Sequence, residues 1–304
     1  MTNNRDPLVS LIVATSGTRP DELRRLLESV RSQRRPGCEV LVIDQSTGLL
    51  DDTLDEYPEV VHVRSDVRGL SRNRNIGIAR ASGSVIAFPD DDCVLPPDYI
   101  ENVIALASRF TDATLFGYGN VLTLEDRQPF HELYRVGSMQ RLTVFNCHKI
   151  PSVGLVFDRR AFARAGVFDE SFGVGGTYGA AEESDIMLRM LAAGMQGAYA
   201  DGLEILHPAR PKAMVSKERH RSYSTAIGAL ARKHWQTTRN WRFLLVFVYS
   251  VARSLGGILL SPVLRDGLLP VYITNFSAKC RGYWSYGVAA GTSQRSTTQR
   301  GDHA

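Results

Sequence analysis

Apolar and polar positions in the first part of the chain follow two alternating periods. Leu8 to Ala14 is a nearly unbroken apolar, β-branched run that stops at Thr15-Ser16-Gly17, the pattern of a buried strand entering a loop. PDELRRLLESVRSQR follows, with Pro20 in its first turn, Asp21 and Glu22 early, and Leu23, Leu26, Leu27 and Val30 spaced along one helical face. The same reasoning predicts a strand over 39–43 ending at Asp44, a third over 60–64, a helix over 71–81 and a fourth strand over 84–88. Strands alternating with helices imply an α/β fold with a mostly parallel central sheet covered on both faces.

In such sheets ligands collect beyond the carboxyl ends of the strands, and acids stand there in this chain. Asp44 closes the second strand, and Asp90, Asp91 and Asp92 follow the fourth. Asp44 also reads as a plain turn residue, and Asp90 as a cap for the helix expected over 97–109. Three adjacent carboxylates need more. At ~4 Å and an effective dielectric of about 20 each pair repels by roughly 4 kcal/mol, so an exposed loop or a bound cation has to relieve them. Hard divalent ions such as Mg²⁺ or Mn²⁺ take carboxylate oxygens and substrate phosphates. Upstream, RGLSRNRNIGIARA offers Arg68, Arg72 and Arg74 beside Asn73 and Asn75, donors suited to a diphosphate and a ribose.

Residues 172–194 read as a glycine-rich loop, open to close backbone approach by a ligand, feeding a helix that starts near Ala181. Glu182 and Glu183 fall in its first turn, where acids also complement the helix dipole. His207 follows the apolar Ile205-Leu206 step, and its spacing alone suits a structural role as well as a ligand role.

At 304 residues there is room for one large domain and an appendage. The 43% hydrophobic and 22% charged content is ordinary, and a net charge of +4 names no partner. The charge is unevenly spread, however: from Ala209 to Arg242 nine Lys or Arg stand against one acid, Glu218. Arg210 and Lys212, just after His207, are placed either to close over a diphosphate or to lie on a solvated basic face. Nucleic-acid binding would want a recognition motif beside this segment, and none accompanies it. Cysteines at 38, 93, 147 and 280, without a CxxC step, suit free thiols in the cytosol rather than a zinc knuckle or a disulfide scaffold. The N-terminal apolar stretch is too short for a secretory signal, so a cytoplasmic catalytic part is expected.

FLLVFVYSVARSLGGILLSPVL (243–264) has the length of a membrane span but carries Arg253, Gly256, Gly257 and Pro262. These divide it into two apolar pieces of about ten residues, each too short to cross. The expectation is a pair of interfacial helices on the cytoplasmic leaflet, helped onto anionic lipid by the basic segment, with packing on the catalytic domain or on a second subunit as the alternative. Leu268 to Phe276 with Tyr283, Trp284 and Tyr286 continue that layer, and residues 287–304 read as a disordered tail.

In order, SLIVAT, VLVIDQST, GLSRNRNIGIARASGSVIAFPDDD, FDESFG, GAAEESDIMLR and a later histidine resemble the family 2 glycosyltransferases of the GT-A fold, over residues 8 to about 208. The resemblance implies a Rossmann-like GT-A catalytic domain over 1–208, followed by a basic, amphipathic helical extension over 209–286. It implies a nucleoside diphosphate sugar donor, with a family lean to uridine, held by Thr15, Asp44, Arg72, Arg74, Asp90 and Asp91. Asp44 would contact the base, Arg74 the nucleotide, and Asp90 the ribose or metal. Asp92, with Asp90 and His207, would hold Mn²⁺ or Mg²⁺. The family's Glu-Asp step stands here as Glu182-Glu183, so Glu183 would be the general base in a single displacement with inversion. That departure lengthens the arm and leaves open which glutamate acts. The acceptor implied is a saccharide hydroxyl, lipid-linked if the C-terminal region meets the membrane, as in bacterial polysaccharide and surface-glycan assembly. The enzyme would then be peripheral at the cytoplasmic face of the inner membrane. A sugar nucleotidyltransferase would want a glycine-rich, basic phosphate loop where this chain has ATSGTRPDE. Against a non-catalytic sugar-nucleotide-binding protein stand the intact acids at 90–92, 182 and 183.

Overall fold

The computed structural model of the chain describes residues 9–33, 37–108, 115–130, 142–209, 217–265 and 267–287. These divide into two compact units, one comprising 1–170 with 182–210 and the other 171–181 with the chain from 211 on.

The first unit opens with strand β1 (Val9–Thr15), helix α1 (Pro20–Arg31), β2 (Cys38–Asp44), the short α2 (Asp51–Asp55), β3 (Val61–Arg64), α3 (Leu70–Arg80) and β4 (Val85–Ala87). Then come α4 (Tyr99–Ser108), β5 (Leu115–Thr123), β6 (Leu155–Asp158), α5 (Arg159–Ala165), α6 (Glu182–Ala192) and β7 (Gln196–His207). The expected strands and helices are therefore present, their ends displaced by a residue or two. Pro20 starts α1, whose N1 amide needs no intrahelical partner, and Leu23, Leu26 and Leu27 are its buried stripe. That stripe packs with Leu11 and Val13 of β1, Val40 and Val42 of β2, and Tyr99, Ile100 and Val103 of α4 in one core. Ile12, pointing the other way along the pleat, lies under α3, where a Cβ on Gly77 would come within 2.3 Å of it.

The seven strands form one sheet in the order β3-β2-β1-β4-β6-β5-β7. Pairings β1–β2, β1–β4, β2–β3 and β5–β7 are parallel, and β6 runs antiparallel to both neighbours. Because β6 reverses twice, β5 and β7 run in the same sense as β1, and Thr15, Asp44, the Asp90–Asp92 run and His207 all lie at strand carboxyl ends on one edge. A further antiparallel bridge ties that edge together. Val94 and Leu206 exchange both backbone hydrogen bonds, at 2.8 and 2.9 Å, pinning the residues just after the aspartates to the end of β7.

In the second unit α7 (Lys217–Thr238), α8 (Trp241–Leu264) and α9 (Leu269–Ser285) pack with the loop over 171–181. The glycines of that loop serve its own turns: the Gly176 amide donates to Gly173 O at 2.9 Å, and Gly179 lies against Ser222 of α7. Helices α7 and α9 meet at paired glycines. A Cβ on Gly228 would stand 2.0 Å from Lys279 O, and one on Gly282 would stand 1.9 Å from Thr225 O. Helix α8 is held to α9 by Lys279, whose Nζ donates to Ser250 O and Ser254 Oγ at 2.8 Å, and by Phe247 stacked on Tyr283.

The expectation of two short apolar pieces is overturned, since α8 is one helix of 24 residues. Asn240 caps its start through Phe243 N, Gly257 packs beneath the ring of Tyr272, and Pro262 falls in the last turn, so the backbone bond that its missing N–H forfeits lies at the helix end. Packing overrides the local breakers, whose cost is about 1 kcal/mol per glycine. By length and composition α8 can cross a membrane, and Leu245, Tyr249, Leu259 and Val263 along it are exposed. Of the expected tail over 287–304, residues 288–304 lie outside the described residues.

The glycine crossing is testable. Gly282→Ala or Gly228→Ala is expected to destabilise the helical unit by at least about 2 kcal/mol in urea unfolding followed by helix circular dichroism. Gly256→Ala, which meets nothing within 4 Å, is expected to be neutral or to stabilise by up to about 1 kcal/mol.

Candidate active site

The aspartate loop does not take the exposed form that its charge predicts. Asp91 and Asp92 are buried, at 2% and 6% exposure, and Asp90 is partly exposed. The relief comes from arginines. Arg19, in the loop between β1 and α1, sends one terminal nitrogen to Asp91 and the other to Asp92. Thr15, at the end of β1, donates its hydroxyl to the other oxygen of Asp91 at 2.6 Å and accepts from Gly17 N. Burial still pushes the Asp91 carboxyl up, against the pull of Thr15 and Arg19.

Arg74 serves the rest of the cluster. It projects from the inward face of α3 and is 2% exposed. Its fork reaches Glu182 Oε1 at 3.1 Å, Asp90 Oδ1 at 3.4 Å and the Ser152 hydroxyl at 3.2 Å, while the guanidinium lies over the rings of Phe88 and Phe168. Glu182 at the start of α6 is thereby a paired, buried carboxylate. Next to it, Glu183 is pushed well above the usual glutamate range, first by burial and then by the negative charge of Glu182.

Asp92 and His207 meet across the Val94–Leu206 bridge. His207 Nδ1 lies 2.8 Å from Pro208 O, a carbonyl that can only accept, so Nδ1 carries a proton and Nε2 faces inward. That Nε2 is 3.4 Å from Asp92 Oδ1 and 4.0 Å from Asp90 Oδ2. Asp92 Oδ1 is buried and has no hydrogen-bond partner. A carboxylate oxygen and an imidazole nitrogen at this distance are donors that one divalent ion can share, with Asp90 Oδ2 at the margin of the site. Phe130 packs edge-on against the His207 ring, with centroids 4.7 Å apart, and fixes its tilt. The Cys93 thiol is also within ligand reach of Asp92 and His207, but burial and the aspartates push its pKa well up and keep it a neutral thiol.

The other expected residues sit as follows. Asp44 is fully buried at the end of β2, with one oxygen taking Ser46 N at 2.7 Å and the other 3.2 Å from His62 Nε2 of β3. Arg72 pairs with Glu170 at 2.7 Å in a half-exposed ion pair. Asn73 and Asn75 are spent on structure, the first donating to Val67 O and Gly69 O and the second to Phe168 O. Arg210 and Lys212 lie outside the described residues. Sequence reasoning missed Arg19, Ser152 and His62 as partners of the acids. Arg19 was the most accessible of these, standing two residues after the loop glycine that follows β1.

Comparison with known proteins places this geometry. The profile of the family described as glycosyl transferase family 2 matches residues 10–165, so Glu182, Glu183 and His207 lie beyond the matched range. Over 117 residues the chain is 34% identical to the putative glycosyltransferase EpsH of Bacillus subtilis (strain 168), covering 37% of this chain and 34% of that protein. Over 115 residues it is 31% identical to the glucosyl-dolichyl phosphate glucuronosyltransferase of Haloferax volcanii, covering 36% of this chain and 37% of that protein. The chain thus spans about a third of the length of these curated relatives, 34% and 37%. Among solved structures, S. aureus TarS 1–349 in complex with UDP-GlcNAc aligns with a TM-score of 0.58 over 90% of this chain and 89% of that one, at 14% identity. That likeness is one of fold, and the fold is GT-A-like.

The two ion pairs of α3 give a contrast that can be measured. Arg74→Gln strips the cation from buried Glu182 and is expected to cost about 3–5 kcal/mol in urea unfolding. Arg72→Gln, which opens a half-exposed pair, is expected to cost under about 1 kcal/mol.

Proposed function

The chain belongs to glycosyl transferase family 2, and from that premise we propose that it transfers a sugar from a nucleoside diphosphate sugar to an acceptor hydroxyl, with inversion at the anomeric carbon. The observation that carries this reading is the pair of adjacent glutamates given different partners. Glu182 is tied to Arg74, and Glu183 is left basic by its surroundings beside a cluster suited to a charged donor.

In this reading Glu183 takes the proton of the acceptor hydroxyl as the oxygen attacks C1 of the donor sugar. Arg74 holds Glu182 in place, so Glu183 sits beside a fixed neighbouring carboxylate that, after burial, raises its basicity. Asp44 receives the base, and Thr15, Asp90 and Asp91 line the nucleotide, with Arg72 at the margin. Asp92, Asp90 and His207 would hold Mg²⁺ or Mn²⁺, which when bound neutralises charge growing on the departing diphosphate. A uridine-linked donor is favoured, supported by a structural neighbour solved with UDP-GlcNAc.

The acceptor is a saccharide, lipid-linked in the fullest form of the proposal, within polysaccharide or surface-glycan assembly. Support comes from a relative named for glucosyl-dolichyl phosphate and from the exposed apolar length of α8. Helix α8 lies in the interface of the cytoplasmic leaflet rather than across it, because Arg253 stands midway along its apolar run.

Glu183→Gln is expected to lower kcat by at least about 10²-fold, and up to about 10⁴-fold, with donor affinity nearly unchanged. An unaltered kcat would remove Glu183 from the mechanism. Since only ionised Glu183 accepts a proton and its pKa is raised in the free protein, kcat/KM should fall with decreasing pH at a midpoint above the ordinary glutamate range. A midpoint at or below that range contradicts the assignment. Sugar recovered on the acceptor, with free nucleoside diphosphate, separates this reaction from nucleotidyl transfer.

Flotation with anionic vesicles tests the surface. The wild-type chain should float, and Leu259→Glu with Val263→Glu should leave it in solution. Equal flotation of both proteins would sink the interfacial role of α8.

A further inference from the structure

Arg19 and Arg74 each bridge two acids, but they are held in different ways. Arg74 is 2% exposed between aromatic rings. The Arg19 side chain is 41% exposed, although the carboxylates that it binds are only 3% and 8% exposed. Its backbone is fixed, since Arg19 O accepts from Leu23 N at 3.1 Å and Pro20 follows at the start of α1. The side chain makes no helix-capping hydrogen bond. The guanidinium is thus a charge on a flexible stem above a rigid base.

Asp92 is the shared element. Its Oδ2 takes Arg19, and its Oδ1 is the buried, unpartnered atom that faces His207 Nε2. A single carboxylate is therefore claimed by a guanidinium on one side and presented to the candidate metal site on the other. A divalent ion there would share that carboxylate with the arginine, and its repulsion from the guanidinium is twice that between unit charges at the same separation. The repulsion is relieved if the guanidinium moves to another anion, and a diphosphate is the anion that the proposed donor brings.

Building on the glycosyltransferase reading and its metal site, we infer that Arg19 is a built-in counter-ion that weakens metal binding until a nucleoside diphosphate draws it away. It holds Asp91 and Asp92 together when no ion is bound, and it makes ion and nucleotide bind cooperatively. Coupling of this kind is reciprocal, so the ion strengthens nucleotide binding by the same factor. Arg19 is a positioning residue here, acting through Asp92 rather than on the reacting atoms.

The test is Mn²⁺ binding to the full chain, read from the electron paramagnetic resonance signal of free Mn²⁺, without nucleotide and then with UDP. Without nucleotide, Arg19→Gln is expected to bind Mn²⁺ at least about tenfold tighter than the wild type, because the competing charge is gone. Arg19→Lys keeps the charge and should stay within about threefold of the wild type. Tightening by UDP should be smaller in Arg19→Gln than in the wild type. If the glutamine variant folds poorly, Arg19→Met keeps the aliphatic stem and should give the same tightening. Nucleotide-free affinity in the neutral variants equal to or below the wild type overturns the counter-ion role and leaves the metal reading standing. Absence of Mn²⁺ binding in every protein, UDP included, overturns the metal site and this inference with it.

Discussion

Burying carboxylates beside one another is the constraint around which the first unit is organised. Asp91, Asp92 and Glu182 are almost fully enclosed, and Asp90 and Glu183 lie next to them in the chain. Isolated charges in such surroundings would take up protons or unfold the edge of the sheet. Two arginines prevent that by serving two acids each: Arg19 bridges Asp91 and Asp92, and Arg74 bridges Asp90 and Glu182. No ion pair to Glu183 is found among the described residues, and its carboxyl is pushed up accordingly. The cluster is thus unevenly neutralised.

Topology supplies what local sequence does not. The antiparallel β6 turns the second half of the sheet so that β5 and β7 run with β1, which brings His207 to the edge that carries the aspartates. The Val94–Leu206 bridge then sets the separation of Asp92 and His207 through backbone hydrogen bonds. A backbone restraint of this kind holds the two donors at the spacing of an ion without asking their side chains to bond each other.

The four strands up to β4, with α1, α3, α4 and the start of α6, were legible because hydrophobic period and strand-end acids are local signals, whereas α2, β5, β6, α5 and β7 were not read from the sequence. The run Val9–Thr15, the stripe of Leu23, Leu26 and Leu27, and the position of Asp90–Asp92 after β4 all follow from spacing within a few residues. Arg19 was not legible as their partner, since its pairing with Asp91 and Asp92 spans more than seventy positions and leaves no period. Asn73 and Asn75 show the opposite error. Polar residues on an inward helix face look like ligand donors, yet they satisfy carbonyls of the chain itself. In α8 the glycines and Pro262 signal a break, and tertiary contacts with Tyr272 and Lys279 outweigh it. The roles of Thr15, Asp44, Arg72 and the two glutamates rest on resemblance and geometry together, and neither alone distinguishes them.

The division of labour between the two glutamates follows from helical geometry. Successive residues in a helix project roughly 100° apart, and the Arg74 fork bonds Glu182 while reaching Glu183 only through its charge, against a stronger push from burial. The acid that the arginine takes is fixed in place, and its neighbour is left to a less polar setting and to the negative charge beside it. Arg74 is locked by Asp90, Ser152 and the rings of Phe88 and Phe168, so the choice is made by α3 and β4 rather than by α6. The residue before the pair, Ala181, adopts φ 68°, a left-handed conformation that costs a non-glycine residue about 1 kcal/mol or more. A longer Glu at position 183 is then compatible with base chemistry, because what makes the side chain basic is its surroundings, and the added methylene changes only its reach.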